Sequence, residues 1–238
     1  FVLDLPVRYS LDGVFLYQDV KFRMGGSHFF LGTALSYLDA DIGLGRNGGS
    51  DTPVGLVDAK VKDVGLAVRG FYDTRNHTLN PTRGRLIDLS TWRYDRALGG
   101  NYDYWSVKLK ALSFHDLSDK LTLGFRLEVA AVSGSPPFFS YPWVKLRGIP
   151  AMRYQDERAG AVEVEARYQF APRWQVLGFG GLGFTSDSIQ VFDNPRSIYN
   201  LGVGARYQVL PSHKVWMGLD IARGPEEWNG YIQVGHPW

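Results

Sequence analysis

Side chains that often carry chemistry in proteins are sparse and scattered along this sequence. Its five histidines share no metal-ligand spacing with one another or with a carboxylate: His28, His77, His115, His213 and His236. One segment, FHDLSD, does place a histidine beside serine and aspartates, as a hydrolytic site requires. A turn explains this segment better, because Asp and Ser bond to the nearby backbone in turns. We therefore expect no enzymatic activity, no metal site and no cofactor.

Two further classes of function are disfavoured by a glycine-rich segment and by the charge balance. The segment DIGLGRNGGSDTPVG, residues 41–55, lacks the Gly-Lys-Ser/Thr of a phosphate loop, and we interpret it as an outer loop. A net charge of +2, from 26 basic and 24 acidic residues, is too balanced to suggest nucleic-acid binding. The chain has no cysteine, which excludes disulfides, cysteine-based zinc sites and thiol nucleophiles.

Many charged residues lie in segments where apolar and polar residues alternate. The clearest examples are DKLTLGFRLEVAAVS, AVEVEARYQF and IYNLGVGARYQV. In each segment one face is apolar and the other carries charges and glycine, which is the period of a β-strand. The segments are long, since ordinary strands run to about 5–6 residues.

Composition and strand length together indicate a barrel that crosses a membrane. Aromatic residues make up 14% of the chain, there are 28 glycines, and the mean hydropathy is only −0.18. A transmembrane β-barrel has this composition because its strands alternate between lipid and lumen, with aromatic residues at both interfaces. A soluble β-sandwich is the alternative, and alternation by itself does not exclude it.

The alternating segments predict about twelve antiparallel strands in a single domain, residues 1–238. They lie near 1–10, 13–24, 27–38, 61–75, 83–96, 101–115, 119–132, 161–171, 174–187, 197–210, 213–224 and 227–238. Compact connections alternate with longer ones at 39–60, 133–160 and 188–196, as expected for periplasmic turns and outer loops. The exceptions are brief outer turns near Asp12, near Gly99 and at 224–226. We expect a signal peptide and any periplasmic domain to lie outside this chain.

Four motifs occur in a fixed order on this pattern. FYDTRNHTLNPTRGRLIDL contains Asp-x-Arg and then Pro-x-x-Gly between two strands, and WVKLRGIP places Arg-Gly inside the long loop. The third motif is a pair of strands, VEVEARYQFAPRW and then FGGLG, and the fourth is YIQVGHPW in the last strand segment. Over residues 61–238 these motifs resemble the bacterial surface-antigen superfamily of outer-membrane barrels, which includes BamA and TamA. The first motif matches the turn of that family at Asp73, Arg75, Pro81 and Gly84.

The resemblance implies that the long loop folds back into the lumen. Arg147 and Gly148 match the family signature Val-Arg-Gly-Phe/Tyr, with Leu146 in place of Val and Ile149 in place of the aromatic residue. In the family, the arginine packs against acidic and aromatic residues of the following strands. We expect Arg147 to act as an internal strut that fixes the shape of the barrel.

The acidic partners of this arginine are partly altered here. Glu165 matches the family acid, but Gly181 stands where the family has Asp in the following strand. The expected partners of the arginine are therefore Glu163, Glu165 or Glu128. Leu146 and Ile149 are expected to pack against luminal aromatics such as Phe179, the first residue of FGGLG.

For the whole chain, the resemblance implies an integral protein of the bacterial outer membrane that inserts or translocates proteins. The first and last strands would pair weakly and form a seam, with Gly230 and Gly235 beside it and Trp238 anchored at the periplasmic interface. Expected partners are outer-membrane lipids and lipopolysaccharide, unfolded outer-membrane proteins or accessory envelope proteins, and no nucleic acid. The alternative is a passive pore or a structural anchor barrel that carries an upstream effector domain.

Overall fold

A computed structural model of the chain describes residues 7–46, 54–186 and 198–238. Within these residues, eleven antiparallel strands form one sheet, and each strand pairs with its neighbours in sequence. The strands are β1 Val7–Arg23, β2 Phe29–Arg46, β3 Val54–Asp73, β4 Gly84–Tyr94, β5 Tyr104–Ser118, β6 Leu121–Gly134, β7 Arg158–Ala171, β8 Trp174–Thr185, β9 Ile198–Leu210, β10 Val215–Arg223 and β11 Trp228–Val234. The predicted all-β, antiparallel barrel architecture is confirmed, although no pairing joins β1 to β11 in this part of the chain.

Within the described residues, helical structure is confined to short turns in the connections. The described helices are 3₁₀ turns of three residues each, at Arg96–Leu98, Phe138–Ser140 and Pro211–His213. Among the described residues, none of these helices is long or apolar enough to cross a membrane.

The two faces of the sheet differ sharply in polarity. On β10, Leu219 points outward and is 62% exposed, whereas the next residue, Asp220, points inward and is 1% exposed. The same alternation gives β9 an outward row of apolar residues and an inward row that includes Asn200 and Arg206, both buried. This is the reverse of a soluble protein, which buries its apolar face, and it is the arrangement that a lipid environment stabilises.

Connections at the two ends of the strands have different lengths. At one end, which we call the turn end, they span 24–28, 74–83, 119–120, 172–173 and 211–214. At the other end, which we call the loop end, they include 95–103, 135–157 and 224–227. This division follows the predicted one, and it puts the β6–β7 connection, residues 135–157, at the loop end.

Two of the predicted strands are in fact one strand. The predicted turn near Asp12 is absent, because Asp12 pairs with Asp41 and Gly13 pairs with Ala40 within the β1–β2 ladder. An added Cβ atom on Gly13 would collide with the carbonyl oxygen of Asp39, so this glycine permits close backbone approach rather than a turn. The strand count is therefore eleven in the described residues, not about twelve.

The predicted outer loop 39–60 is also mostly strand. β2 continues to Arg46 and β3 begins at Val54, because the period-2 pattern continues through the glycine-rich segment. Glycine and polar residues obscured that pattern in the sequence. Residues 47–53 of this predicted loop lie outside the described residues.

A charge on the outward face should destabilise the folded protein in lipid. We expect Leu219→Arg to lower the free energy of unfolding by about 2–4 kcal/mol, since it puts a cation into hydrocarbon. The measurement is a urea titration in phosphatidylcholine vesicles, followed by tryptophan fluorescence.

The control is Gln208→Arg, which adds the same side chain to an inward residue that lines a cavity. We expect it to change the free energy of unfolding by less than about 1 kcal/mol. Equal destabilisation by the two variants would mean that the outward face does not contact lipid.

Candidate functional site

The β6–β7 connection, residues 135–157, folds back against the inner face of the sheet, and we call it the inward loop. Its apolar residues Val144, Leu146 and Ile149 are buried. They pack against three residues of the wall: Ala159, Ala161 and Ile198. The expected packing of Leu146 and Ile149 against Phe179 is therefore wrong, because small residues of β7 and the first residue of β9 form the apolar contact.

Gly148 ties the tip of the inward loop to the last two strands. Its φ of 87° lies in the left-handed region, and an added Cβ atom would lie 2.9 Å from the backbone nitrogen of Gly224 and 3.2 Å from Cβ of Ala222. The N–H group of Gly148 donates to the hydroxyl of Tyr231 at 2.7 Å, and its carbonyl accepts from the side chain of Asn229 at 3.3 Å. Only glycine fits this position without strain.

Arg147, the neighbouring residue, reaches three carboxylates on two strands. Its Nε lies 3.1 Å from Oε1 of Glu163, and its Nη1 lies 2.8 Å from Oε2 of Glu165 and 3.2 Å from Oδ2 of Asp220. The guanidinium carbon lies 3.4 Å from the ring centroid of Phe179, which is a close cation–π contact. All of these side chains are buried.

This environment keeps the arginine charged. Burial disfavours the charged form of Arg147, but the carboxylates of Glu165, Glu163 and Asp220 outweigh that effect and raise the pKa of the guanidinium. A buried charge of either sign is stable only when it is paired and hydrogen-bonded. Arg147 and the three acids therefore depend on one another.

Two of these three carboxylates, Glu163 and Asp220, have further partners on the strands of the sheet. Glu163 also pairs with Arg126 at 2.9 Å and accepts from the amide of Asn200 at 2.8 Å. Asp220 accepts from Nη2 of Arg206 at 2.9 Å. Seven buried charged residues are linked by ion pairs, and we call them the luminal cluster: Arg126, Arg147, Glu163, Glu165, Arg167, Arg206 and Asp220. Its four arginines face three carboxylates, with Glu128 beside Arg126 at 3.4 Å as a fourth.

The acid that is absent at Gly181 is supplied from another strand. An added Cβ atom on Gly181 would lie 2.8 Å from Oδ1 of Asn200 and 3.0 Å from Cδ2 of Leu146, so this glycine makes room for the inward loop. Asp220 of β10 takes the third acidic position around Arg147. Glu128 is not a partner of Arg147.

The segment after β11 also enters the lumen. Gly235, with a φ of 75°, turns the chain inward after β11 ends at Val234. Nε1 of Trp238 then donates to Oε2 of Glu163 at 2.8 Å. The predicted anchoring of Trp238 at the periplasmic interface is therefore wrong, since its indole is hydrogen-bonded to a buried carboxylate.

His236, in the same segment, contacts the luminal cluster through Glu165. Its Nε2 lies 3.2 Å from Oε1 of Glu165. Burial lowers the pKa of His236, and the hydrogen bond with Glu165 offsets only part of that effect. Burial thus favours the neutral imidazole, whose Nε2 is within hydrogen-bonding distance of Glu165.

The predicted turn motif forms the β3–β4 connection and also contacts the lumen. Asp73 accepts from the backbone N–H of Arg75 at 3.0 Å and from its guanidinium at 2.8 Å, and Gly84 has a φ of 104°. Pro81 is buried, and its carbonyl accepts a hydrogen bond from the guanidinium of Arg167. The turn is thus held from inside by β7.

An Omp85 superfamily domain matches residues 33–201, which is more than half of the chain. The chain belongs to the Omp85 superfamily. The resemblance inferred from the four motifs, to the superfamily of BamA and TamA, is thereby confirmed. A search of curated protein sequences gave no significant match to this Omp85 chain.

Two solved structures show the same fold at low sequence identity. BamA from Haemophilus ducreyi lacking POTRA domains 1–3 has a TM-score of 0.68 at 13% identity, and the match covers 94% of this chain and 53% of that one. CdiB from Acinetobacter baumannii has a TM-score of 0.63 at 14% identity, covering 96% of this chain and 43% of that one. The Omp85 chain described here therefore spans about half the length of these structures.

Cavities lie on either side of the luminal cluster. One, of about 570 Å³, is lined by Ala161 of β7 among other residues, and a second, of about 770 Å³ at the turn end, is lined by Arg167. Glu163 and Glu165 are the inward residues of β7 between those two positions. The cluster and the inward loop thus separate the two spaces within the Omp85 sheet.

The two predicted seam glycines have different surroundings. Gly230 pairs with Ile221 in the β10–β11 ladder, and an added Cβ atom there would meet nothing within 4 Å. Gly235 lies outside the strand, and its Cβ position is 3.2 Å from the carbonyl oxygen of Leu79. Only Gly230 is in the edge strand itself.

The motifs in the sequence did not identify Asp220 as a partner of Arg147. Alternation indicates which face a residue occupies, whereas the contact joins residues 73 positions apart in the chain. The sequence does indicate that the chain leaves the sheet before Trp238, because Gly235 and Pro237 both interrupt strand pairing.

Removing the buried arginine should release the inward loop and leave the strands paired. We expect Arg147→Ala to destabilise the docked loop by about 3–5 kcal/mol, because it leaves three buried carboxylates without this partner. Limited chymotrypsin digestion measures this, since the aromatic cleavage sites in the loop remain unchanged.

The matched control is Arg153→Ala in the same loop. Arg153 is exposed and pairs with Glu226 at 2.8 Å, and such surface pairs contribute only about 0–1 kcal/mol. Equal cleavage rates for the two variants would contradict the role of Arg147. Unheated gel mobility reports whether the strands remain folded.

Proposed function

We propose that this Omp85 chain is an integral barrel of the bacterial outer membrane that inserts or translocates other proteins through its wall, without catalysing a reaction. The observation that carries the proposal is the edge strand β11, which has only seven residues, Trp228–Val234, and pairs with β10 alone in the described sheet. An unpaired edge offers N–H and C=O groups to an incoming strand.

The orientation of these groups follows from the ladder. The N–H of Gly235 donates to the carbonyl of Trp216, and the N–H of Gly224 donates to the carbonyl of Glu227. Because successive residues of a strand face opposite neighbours, the backbone groups of Gly230 and Ile232 point away from β10. They are the groups that a substrate strand would bind.

The inward loop braces this edge from inside. Tyr231 and Asn229 of β11 both hydrogen-bond to Gly148, which is adjacent to the buried Arg147. Fixing the loop therefore also fixes the position of β11. We propose that the Arg147 contacts hold the edge in shape, so that the seam opens only locally.

The partners follow from these surfaces. The outward apolar face would contact outer-membrane lipids and lipopolysaccharide, and the free edge would accept unfolded outer-membrane proteins, which form strands as they fold. Accessory envelope proteins would deliver them. Family membership and the likeness to BamA and CdiB support this class of activity.

Blocking one edge donor should remove the activity. In proteoliposomes, the wild-type chain should accelerate the folding of a test barrel several-fold. We expect Gly230→Pro to lose most of this acceleration, because proline lacks the N–H that points to the free edge and is tolerated in edge strands. Folding of the test barrel is followed by its heat-dependent gel mobility.

Gly230→Ala is the matched control, since its Cβ atom meets nothing within 4 Å and its N–H is retained. We expect it to accelerate folding like the wild type. No acceleration by the wild-type chain would refute the insertion function, and equal acceleration by the proline and alanine variants would refute the role of β11.

A passive pore is the second candidate, and the two luminal cavities favour it. Planar-bilayer conductance separates the candidates. If the inward loop closes the barrel, the wild-type conductance should be small. Arg147→Ala should then raise the open probability several-fold relative to the wild type. A large, steady wild-type conductance that Arg147→Ala leaves unchanged would favour the pore. Failure of this variant to fold would make Arg147 a structural strut.

A further inference from the structure

The first of the two cavities, which Lys145 of the inward loop lines, has more cationic than anionic side chains in its wall. Its volume of about 570 Å³ is within the range of small-molecule sites, roughly 300–1,000 Å³. Four cationic side chains and two carboxylates line it: Arg69, Lys108, Lys110, Lys145, Asp88 and Glu128. Four positive and two negative charges leave an excess of two positive charges.

The two carboxylates are already paired. Asp88 bonds to Arg69 at 2.6 Å, and Glu128 lies 3.5 Å from Lys110. Within the described residues, neither Lys108 nor Lys145 has a carboxylate within 4.0 Å. The excess charge therefore resides on these two lysines, whose side chains are exposed to the cavity.

The lysines come from two elements that have to stay together. Lys108 and Lys110 are successive inward residues of β5, about 7 Å apart. Lys145 is on the inward loop, where its carbonyl accepts from Nη2 of Arg126 at 2.6 Å. Repulsion among these ammonium groups opposes docking of the loop, and a cavity with charge of one sign concentrates ions of the opposite sign.

We propose that this cavity binds a phosphate-bearing anion that bridges Lys145 of the inward loop to Lys108 of β5. Lysine binds phosphate as a point charge, and a multiply charged anion matches two unneutralised ammonium groups. Hydroxyls of Ser90 and Ser106 line the same wall and supply further donors to phosphate oxygens. The bound anion turns a repulsive contact of the loop into an attractive one.

The binding experiment uses the full chain folded in neutral detergent, with tripolyphosphate as the probe in calorimetry at constant ionic strength. The wild-type chain should give saturable 1:1 binding. The double substitution Lys108→Gln with Lys145→Gln should weaken binding at least tenfold. Tripolyphosphate should also slow chymotrypsin cleavage of the inward loop in the wild type but not in this variant.

The matched control is the double substitution Lys120→Gln with Lys214→Gln. It removes two positive charges from the cavity of about 770 Å³ at the turn end, which both lysines line. This control should bind like the wild type. Non-saturable binding to the wild type, or equal weakening by both double variants, would overturn the proposal. Lys145→Gln alone leaves β5 unchanged and should weaken binding in the same direction, so a folding defect of the double variant does not prevent the test.

The source of the phosphate is tested in nanodiscs. If lipid headgroups fill the cavity, tripolyphosphate should bind more weakly in nanodiscs that contain phosphatidylglycerol than in those of phosphatidylcholine alone. Equal affinity in both would indicate a soluble anion. This binding does not depend on the proposed insertion activity, because Gly230→Pro should leave tripolyphosphate affinity unchanged.

Discussion

The buried guanidinium of Arg147 is the contact on which the rest of the inner structure depends. It pairs with Glu163, Glu165 and Asp220, three buried carboxylates that each also have an arginine of the wall within 4.0 Å. Because the arginine is on the inward loop, its three ion pairs form only when the loop is docked. Docking in turn positions Gly148 against β10 and β11, so the electrostatics of the lumen and the shape of the sheet edge are coupled.

β7 carries this coupling along the length of the lumen. Its successive inward residues Glu163, Glu165 and Arg167 contact, respectively, the tryptophan of the last segment, the inward loop and the turn between β3 and β4. One strand therefore holds elements from both ends of the barrel. The apolar outward face adds stability only in lipid, which is consistent with the Omp85 fold and with the proposed activity at the membrane.

Much of the strand arrangement could be predicted from the alternation of apolar and polar residues, because side chains along a strand point to the two faces of the sheet in turn. Alternation correctly separated Val162 from Glu163 in AVEVEARYQF, and the Arg-Gly motif led to the inward loop. Prediction from the sequence failed at glycines that have a role other than forming a turn. Gly13 permits close strand approach within β1, and Gly181 makes room for Leu146, so neither marks a break or a lost function.

By itself, the sequence determined the fold class, the two faces of the clearly alternating strands, and the family, because these follow from local periodicity and short motifs. Only the tertiary structure decided that Asp220 replaces the acid missing at Gly181, that Trp238 bonds to Glu163, and that Lys145 and Lys108 line the same cavity. These arrangements bring together residues that are far apart in the chain. They depend on the curvature of the sheet and on the path of the loop, which strand periodicity does not encode.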